Sequence, residues 1–237
     1  VSRAKATFSQ TNKDVEISAP GVGVLSTVPN GTGLLGELNA GGLVVEAFPL
    51  EGSPNSSATA ALFDFGIGNA TNAGAAGKVC LIARGTVDFA TKVVNCQASG
   101  GVGAVIYNNV AGSFTGTLGT TVTAIPSVSI SQADGNTLLA TRLEQSTTVS
   151  VAQANYAYFD GTSMATPHVS AVAALVWSYF TPAVATAGRT CTATQLRNSL
   201  NKSAQDLGAA GRDNSYGFGL IQARAAYDRI VSMGCGS

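Results

Sequence analysis

The residues best equipped for chemistry lie in one run, Gly161-Thr-Ser-Met-Ala-Thr-Pro-His168, which follows Tyr158-Phe-Asp160. A serine hydroxyl becomes a nucleophile when a base takes its proton and nearby donors stabilise the oxyanion it creates. Ser163 is placed for the second requirement. Gly161 can adopt backbone angles closed to residues with a Cβ. Pro167 is expected in the first turn of a helix, where a missing N–H costs nothing. The run that follows, Val169-Ser-Ala-Val-Ala-Ala-Leu-Val-Trp177, is almost wholly apolar, as expected of a helix buried all round. A serine at the mouth of that helix has free backbone N–H groups and the positive end of the helix dipole beside it.

The first requirement is harder to meet. The chain holds a single histidine, His168. It falls five residues after Ser163 on the same helix, about 140° away around the axis, so it faces away from the hydroxyl. Asp160 stands three residues before Ser163 with no histidine between them, which argues against its being an acid that orients a base. The sequence therefore presents a nucleophile without its base.

The run Gly161 to His168 resembles the active-serine motif of the subtilisin-like serine proteases (subtilases). That resemblance implies hydrolysis of peptide bonds through an acyl-enzyme on Ser163. The Ser163 N–H would be one oxyanion donor, and Gly161 and Thr162 would shape the turn. Met164, Ala165, Thr166, Pro167 and His168 would support it structurally. In that family the chain order is Asp, His, Ser. The matching Asp and His motifs, and the asparagine that gives the second oxyanion donor, are expected upstream of Val1. This chain alone is then expected to be inactive. Phe8-Ser-Gln, Val15-Glu-Ile-Ser-Ala-Pro-Gly21 and Val24-Leu-Ser-Thr27 resemble a strand of the same catalytic domain, and Tyr216-Gly-Phe-Gly-Leu220 its closing segment.

Composition narrows the field. Of 237 residues, 11% are charged, and thirteen basic side chains balance thirteen acidic ones. Nothing points to nucleic acid or an anionic membrane as partner. The four cysteines form no C-x-x-C pair, and one histidine cannot complete a zinc set. Three pairings are open, as are four free thiols. The local pairing, Cys80 with Cys96 and Cys191 with Cys235, respects the division argued next and implies an oxidising compartment. The expected location is secreted, extracellular. Asn30, Asn55, Asn69 and Asn201 open N-x-S/T sequons, which matter only in a eukaryotic secretory pathway.

The elements around the serine run fall into two textures. Val15, Ile17 and Ala19 alternate as in a short strand ended by Pro20-Gly21. Gly31-Thr-Gly-Leu-Leu-Gly36 fits a dinucleotide pattern but lacks a strand–helix context, so it reads as a linker. From 34 to 154 short β-type runs recur over 43–48, 58–63, 78–83, 102–107, 125–130 and 147–152. Helical spacing over Asp88–Cys96 places Phe89, Val93 and Cys96 on one face, and Ser131 is a candidate N-cap. Further helices are expected from Ser163 to Phe180, from Thr192 (with Gln195 in capping-box spacing) and over Ile221–Val231.

The segments Gly77–Gly85, Gly100–Asn109 and Ile125–Ile130 resemble a protease-associated (PA) domain. Such domains are inserted in many secreted subtilases and are thought to gate substrate access or bind partner segments. Arg84 and Asn108-Asn109 sit at strand ends, where loops carry function, although stabilising a turn would use them equally well. The expected fold class is α/β. Residues 1–33 and 155–237 form the C-terminal part of a subtilisin-like three-layer parallel-sheet domain, interrupted by a small β-rich α/β PA domain over 34–154. The expected partners are a protein or peptide substrate and the remaining N-terminal part of the catalytic domain. No cofactor or metal site is visible. Structural calcium is common in the family, yet no D-x-D-x-D-G loop occurs. The rival reading is a PA-type protein-binding module without catalysis, or an inactive processed half.

Overall fold

A computed structural model describes residues 3–237. The chain divides into two compact units, Leu25–Tyr158 and Arg3–Val24 with Phe159–Ser237.

The first unit is a closed barrel with helices packed on it. Its strands are β2 (Gly33–Ala40), β3 (Leu43–Pro49), β4 (Ser56–Asp64), β5 (Val79–Ala83), β6 (Gly103–Tyr107), β7 (Ser127–Ile130) and β8 (Ser146–Ala154). Around the barrel they run β2, β3, β7, β6, β5, β4, β8. The neighbours β4–β5, β5–β6 and β6–β7 are parallel, and the other pairs antiparallel. A parallel strand covered on both faces reads as a continuous apolar run, and β5 shows why. Val79 and Leu81 point into the barrel, while Cys80 and Ile82 point to a second core that Val93 and Cys96 help to build. Those two residues lie on α1 (Phe89–Ala98), and the Cys80–Cys96 bridge joins the helix to the strand beneath it. The helix α2 (Gln132–Thr141) begins at Ser131, whose hydroxyl accepts from Asp134 N–H.

The six expected β runs correspond to β3–β8. The glycine-rich linker does not survive: Gly33 and Gly36 lie inside β2. A Cβ on Gly33 would come within 2.1 Å of the Tyr156 carbonyl, and one on Gly36 within 3.0 Å of the Ala47 carbonyl. Glycine serves close strand approach there. The unit is also wider than 34–154. Most of β1 (Val24–Thr27) and β9 (Tyr156–Phe159), which pair with each other, falls inside it. Val28 N–H donates to Asn155 O and Gly31 N–H to the Asn155 side chain, extending that pairing into the barrel unit.

The second unit is helical among its described residues: α3 (Thr162–Ser178), α4 (Ala193–Ser203) and α5 (Ala223–Met233). Thr192 and Gln195 form a full capping box at α4. The core gathers Val176, Phe180, Leu196, Leu200, Ala226 and Ile230, with Ile17 and Ala19 packed against it. The Cys191–Cys235 bridge and the bond from Trp177 Nε1–H to Cys191 O close this end. The strand expected at Val15–Ala19 narrows to a parallel bridge, Ser18 with Leu220. No described helix is long and apolar enough to cross a membrane.

Candidate active site

The serine turn starts at Gly161, the N-cap of α3, which offers no side-chain cap. Its carbonyl accepts from Met164 N–H at 3.0 Å and Ala165 N–H at 3.4 Å. Ser163 is the second helical residue and its side chain is exposed. A backbone N–H at that position has no intrahelical acceptor, and the dipole's positive end lies there. Hydroxyl and amide thus stand together at an open helix mouth.

Two sequence expectations about this helix need correction. Pro167 is not in the first turn but within the helix. A proline there removes the i→i−4 bond, and the residue four before it is Ser163. The Ser163 carbonyl therefore lacks its helical donor. Nor is α3 buried all round: of its 17 residues only Val176 is fully buried. Its covered stripe is Val169, Val172, Ala173 and Val176, the i, i+3, i+4, i+7 face of an amphipathic helix. Leu175 and Trp177 are 55% and 40% exposed.

His168 is turned to its own helix. Its Nδ1 lies 2.8 Å from Met164 O, and because a carbonyl only accepts, Nδ1 carries the proton. Thr166 Oγ1 donates to Thr162 O and Ser170 Oγ to Thr166 O. These back-bonds serve the carbonyls of a helix whose ladder Pro167 interrupts. Among the described residues no hydrogen bond links His168 with Ser163.

What the structure brings to the serine turn is the Pro20-Gly21 segment. Gly161 N–H donates to Gly21 O at 2.8 Å, and Gly23 N–H donates to Asp160 Oδ1 at 2.7 Å. That segment is held in turn from its other end. Glu16 accepts from both Arg197 nitrogens of a bidentate pair and from Asn201 on α4. The Arg197 hydrogen bond holds the Glu16 carboxyl below its ordinary range; burial opposes this and the Asn201 bond adds to it. Glu16 O also accepts from Phe218 N–H, and Ser18 exchanges bonds with Gly219 and Ile221. Such closeness dictates the glycines of Tyr216–Leu220. A Cβ on Gly217 would sit 2.2 Å from the Glu16 carbonyl carbon, and one on Gly219 2.1 Å from Gln205 O.

In the barrel unit, Arg84 donates to Asn108 Oδ1 at 3.0 Å and stacks over Phe114, 4.7 Å from the ring centre. Asn108 is buried and also ties Asn109 N–H and Gly112 O. These residues brace a turn. The sequence reading missed Lys92, whose side chain is fully buried. Its ammonium donates to Ile67 O and to Gly85 O. Burial lowers its pKa, with the Asp88 carboxylate pulling the other way. No signal in the sequence marks it, because its partners are loop carbonyls. Among the described residues, no group of three or more His, Cys, Asp or Glu gathers as a metal set.

Comparison with known proteins fits these observations. Residues 41–138 match the PA domain family. The solved subtilisin-like protease Apa1 of the Antarctic Pseudoalteromonas sp. AS-11 superposes with a TM-score of 0.77 at 37% identity, over 98% of this chain and 57% of that one. Alkaline elastase YaB of Bacillus sp. (strain YaB) is 31% identical over 229 residues, 86% of this chain and 50% of its own length. The minor extracellular protease Epr of Bacillus subtilis (strain 168) is 46% identical over 70 residues, 30% of this chain and 10% of Epr. The chain thus spans half or less of the length of these last two relatives.

Proposed function

The chain belongs with the subtilisin-like proteases and carries a PA domain among their elements, and on that premise we propose a serine endopeptidase that acts through an acyl-enzyme on Ser163. The observation that carries the reading is the exposed Ser163 hydroxyl beside its own orphan N–H at the mouth of α3. Ser163 Oγ attacks the peptide carbonyl. Its amide, with the positive end of the helix, stabilises the oxyanion. A histidine outside this chain takes the proton and returns it to the leaving amine, an aspartate orients that histidine, and an asparagine gives the second oxyanion donor. His168 is committed to Met164 O and serves as helix support.

The same reading accounts for the uncovered sides of α3: the rest of the catalytic domain packs there and completes a three-layer parallel sheet. Secretion agrees with two formed disulfides. The substrate is a protein or peptide. The described residues gather no acidic set for the family's calcium, and no step runs through one.

A second reading has its own support. The barrel unit closes its sheet and has two sealed cores, as a self-sufficient protein-binding module would. Labelling with a fluorophosphonate probe, read by intact mass, separates the two. We expect full-length protein to take one label that Ser163→Ala abolishes, while the 237-residue chain takes none. Absence of label from the full-length protein moves the assignment to the binding module.

A further inference from the structure

We propose that Asp160 is a positioning residue for Ser163: together with the Gly161 amide it clasps the Gly21–Gly23 turn and so fixes where the nucleophile's helix begins. The proposal rests on the reading of Ser163 as nucleophile and adds a residue to it.

Two hydrogen bonds run in opposite senses between the same two turns. Gly161 N–H donates to Gly21 O, and Gly23 N–H donates to Asp160 Oδ1. One bond would set a distance; two set distance and rotation together. A steric contact supplies the third restraint. A Cβ on Gly21 would meet Gly161 O at 2.7 Å and the Ala165 Cβ at 3.3 Å. The Gly21 backbone lies outside the left-handed region, so the space taken by the Gly161 carbonyl is what demands glycine there. Gly23, by contrast, has φ 62° and is a conformational glycine.

The helix mouth needs an external restraint. Its N-cap has no side chain, so the usual Ser, Thr or Asp cap bond is absent. Pro167 withholds the N–H that would bind Ser163 O. Ser163 is therefore held weakly from within α3, and it lies only three residues beyond the Asp160 carboxylate. The Gly21 side of the clasp is anchored independently, through Glu16 on Arg197 and Asn201 and through Ser18 on Gly219 and Ile221. Asp160 thus transmits a fixed position to the nucleophile and takes no part in proton transfer.

The test uses the full-length protein with Asp160→Ala, Asp160→Asn and Gly21→Ala, each shown to be folded by its melting curve. Fluorophosphonate acylation rates and peptide hydrolysis are measured. Asp160→Ala is expected to lower the acylation rate and kcat by at least about tenfold with KM within about twofold. Asp160→Asn, whose amide oxygen accepts the same bond, should recover to within about threefold of wild type, and Gly21→Ala should resemble Asp160→Ala. Unchanged rates in the alanine variants overturn the proposal. An asparagine variant as slow as alanine overturns the clasp and makes charge the cause. Amide exchange at Gly23 and Gly161 reports the clasp without any activity: faster exchange in Asp160→Ala alone supports it, and unchanged exchange refutes it. A wild-type protein that takes no label removes the nucleophile, and with it Asp160's role, whatever the exchange shows.

Discussion

The barrel unit and the serine-bearing unit are made of similar apolar residues and bury them very differently. In β5, Val79, Cys80, Leu81 and Ile82 are all fully buried. In α3, a longer element whose second half is largely apolar, only one residue is. The closed barrel gives each strand two neighbours and leaves no open edge, and β5 is covered on both faces. The helix has neighbours along one stripe only. Burial is a property of what lies alongside an element, and the composition of the element states only what it could bury.

The sharpest test of that contrast is a core truncation. Leu81 fills the barrel interior with no exposure. Leu81→Ala should cost about 2–5 kcal/mol, read as a shift of the denaturant midpoint. A loss under about 1 kcal/mol would show that the barrel is not close-packed, and the comparison between the units would collapse.

What the sequence disclosed follows the same division. The barrel strands were readable because short β-type runs bounded by turn residues are local properties, as were the Ser131 and Thr192 caps. The strand β2 escaped because its glycines mark a loop in most contexts; here they admit the Tyr156 and Ala47 carbonyls. Lys92 escaped because its charge is satisfied by carbonyls from other loops. At the site, Ser163 was legible from its motif. The clasp was not, since Gly23 and Asp160 are 137 residues apart. The apolar run of α3 suggested burial on every side, and Pro167 suggested a first turn; each inference took a residue preference for a position.

The serine-bearing unit adds a charged tie, Glu16 with Arg197, to its packing, and pH tests what that tie contributes. Glu16 has its pKa lowered chiefly by the Arg197 hydrogen bond, burial acting against it. A carboxyl held below its unfolded value contributes stability that is fully present above that unfolded value, and the contribution is lost as pH falls through the folded one. Glu16→Gln should therefore lower the melting temperature at neutral pH by about 1–3 °C, with the gap from wild type closing as the solution is acidified through the carboxylate range. A gap that stays constant down to acid pH would mean that the tie works through shape alone.

The smallest expected effect is the most informative about α3. Leu175 points away from the helix's covered stripe and is 55% exposed. In this chain Leu175→Ala should change stability by no more than about 0.5 kcal/mol, as surface substitutions do, and leave the denaturant slope unchanged. The same substitution in the full-length protein should cost about 2 kcal/mol or more, because the proposed catalytic domain covers that face and truncation there leaves a cavity. Equal small costs in both would mean that the face stays in water, and the helix mouth at Ser163 would then lack the walls that peptide hydrolysis requires. A large cost in the short chain would show that some neighbour already packs on Leu175 in solution, such as a second copy of the chain, and dilution would reveal it as a concentration-dependent melting temperature.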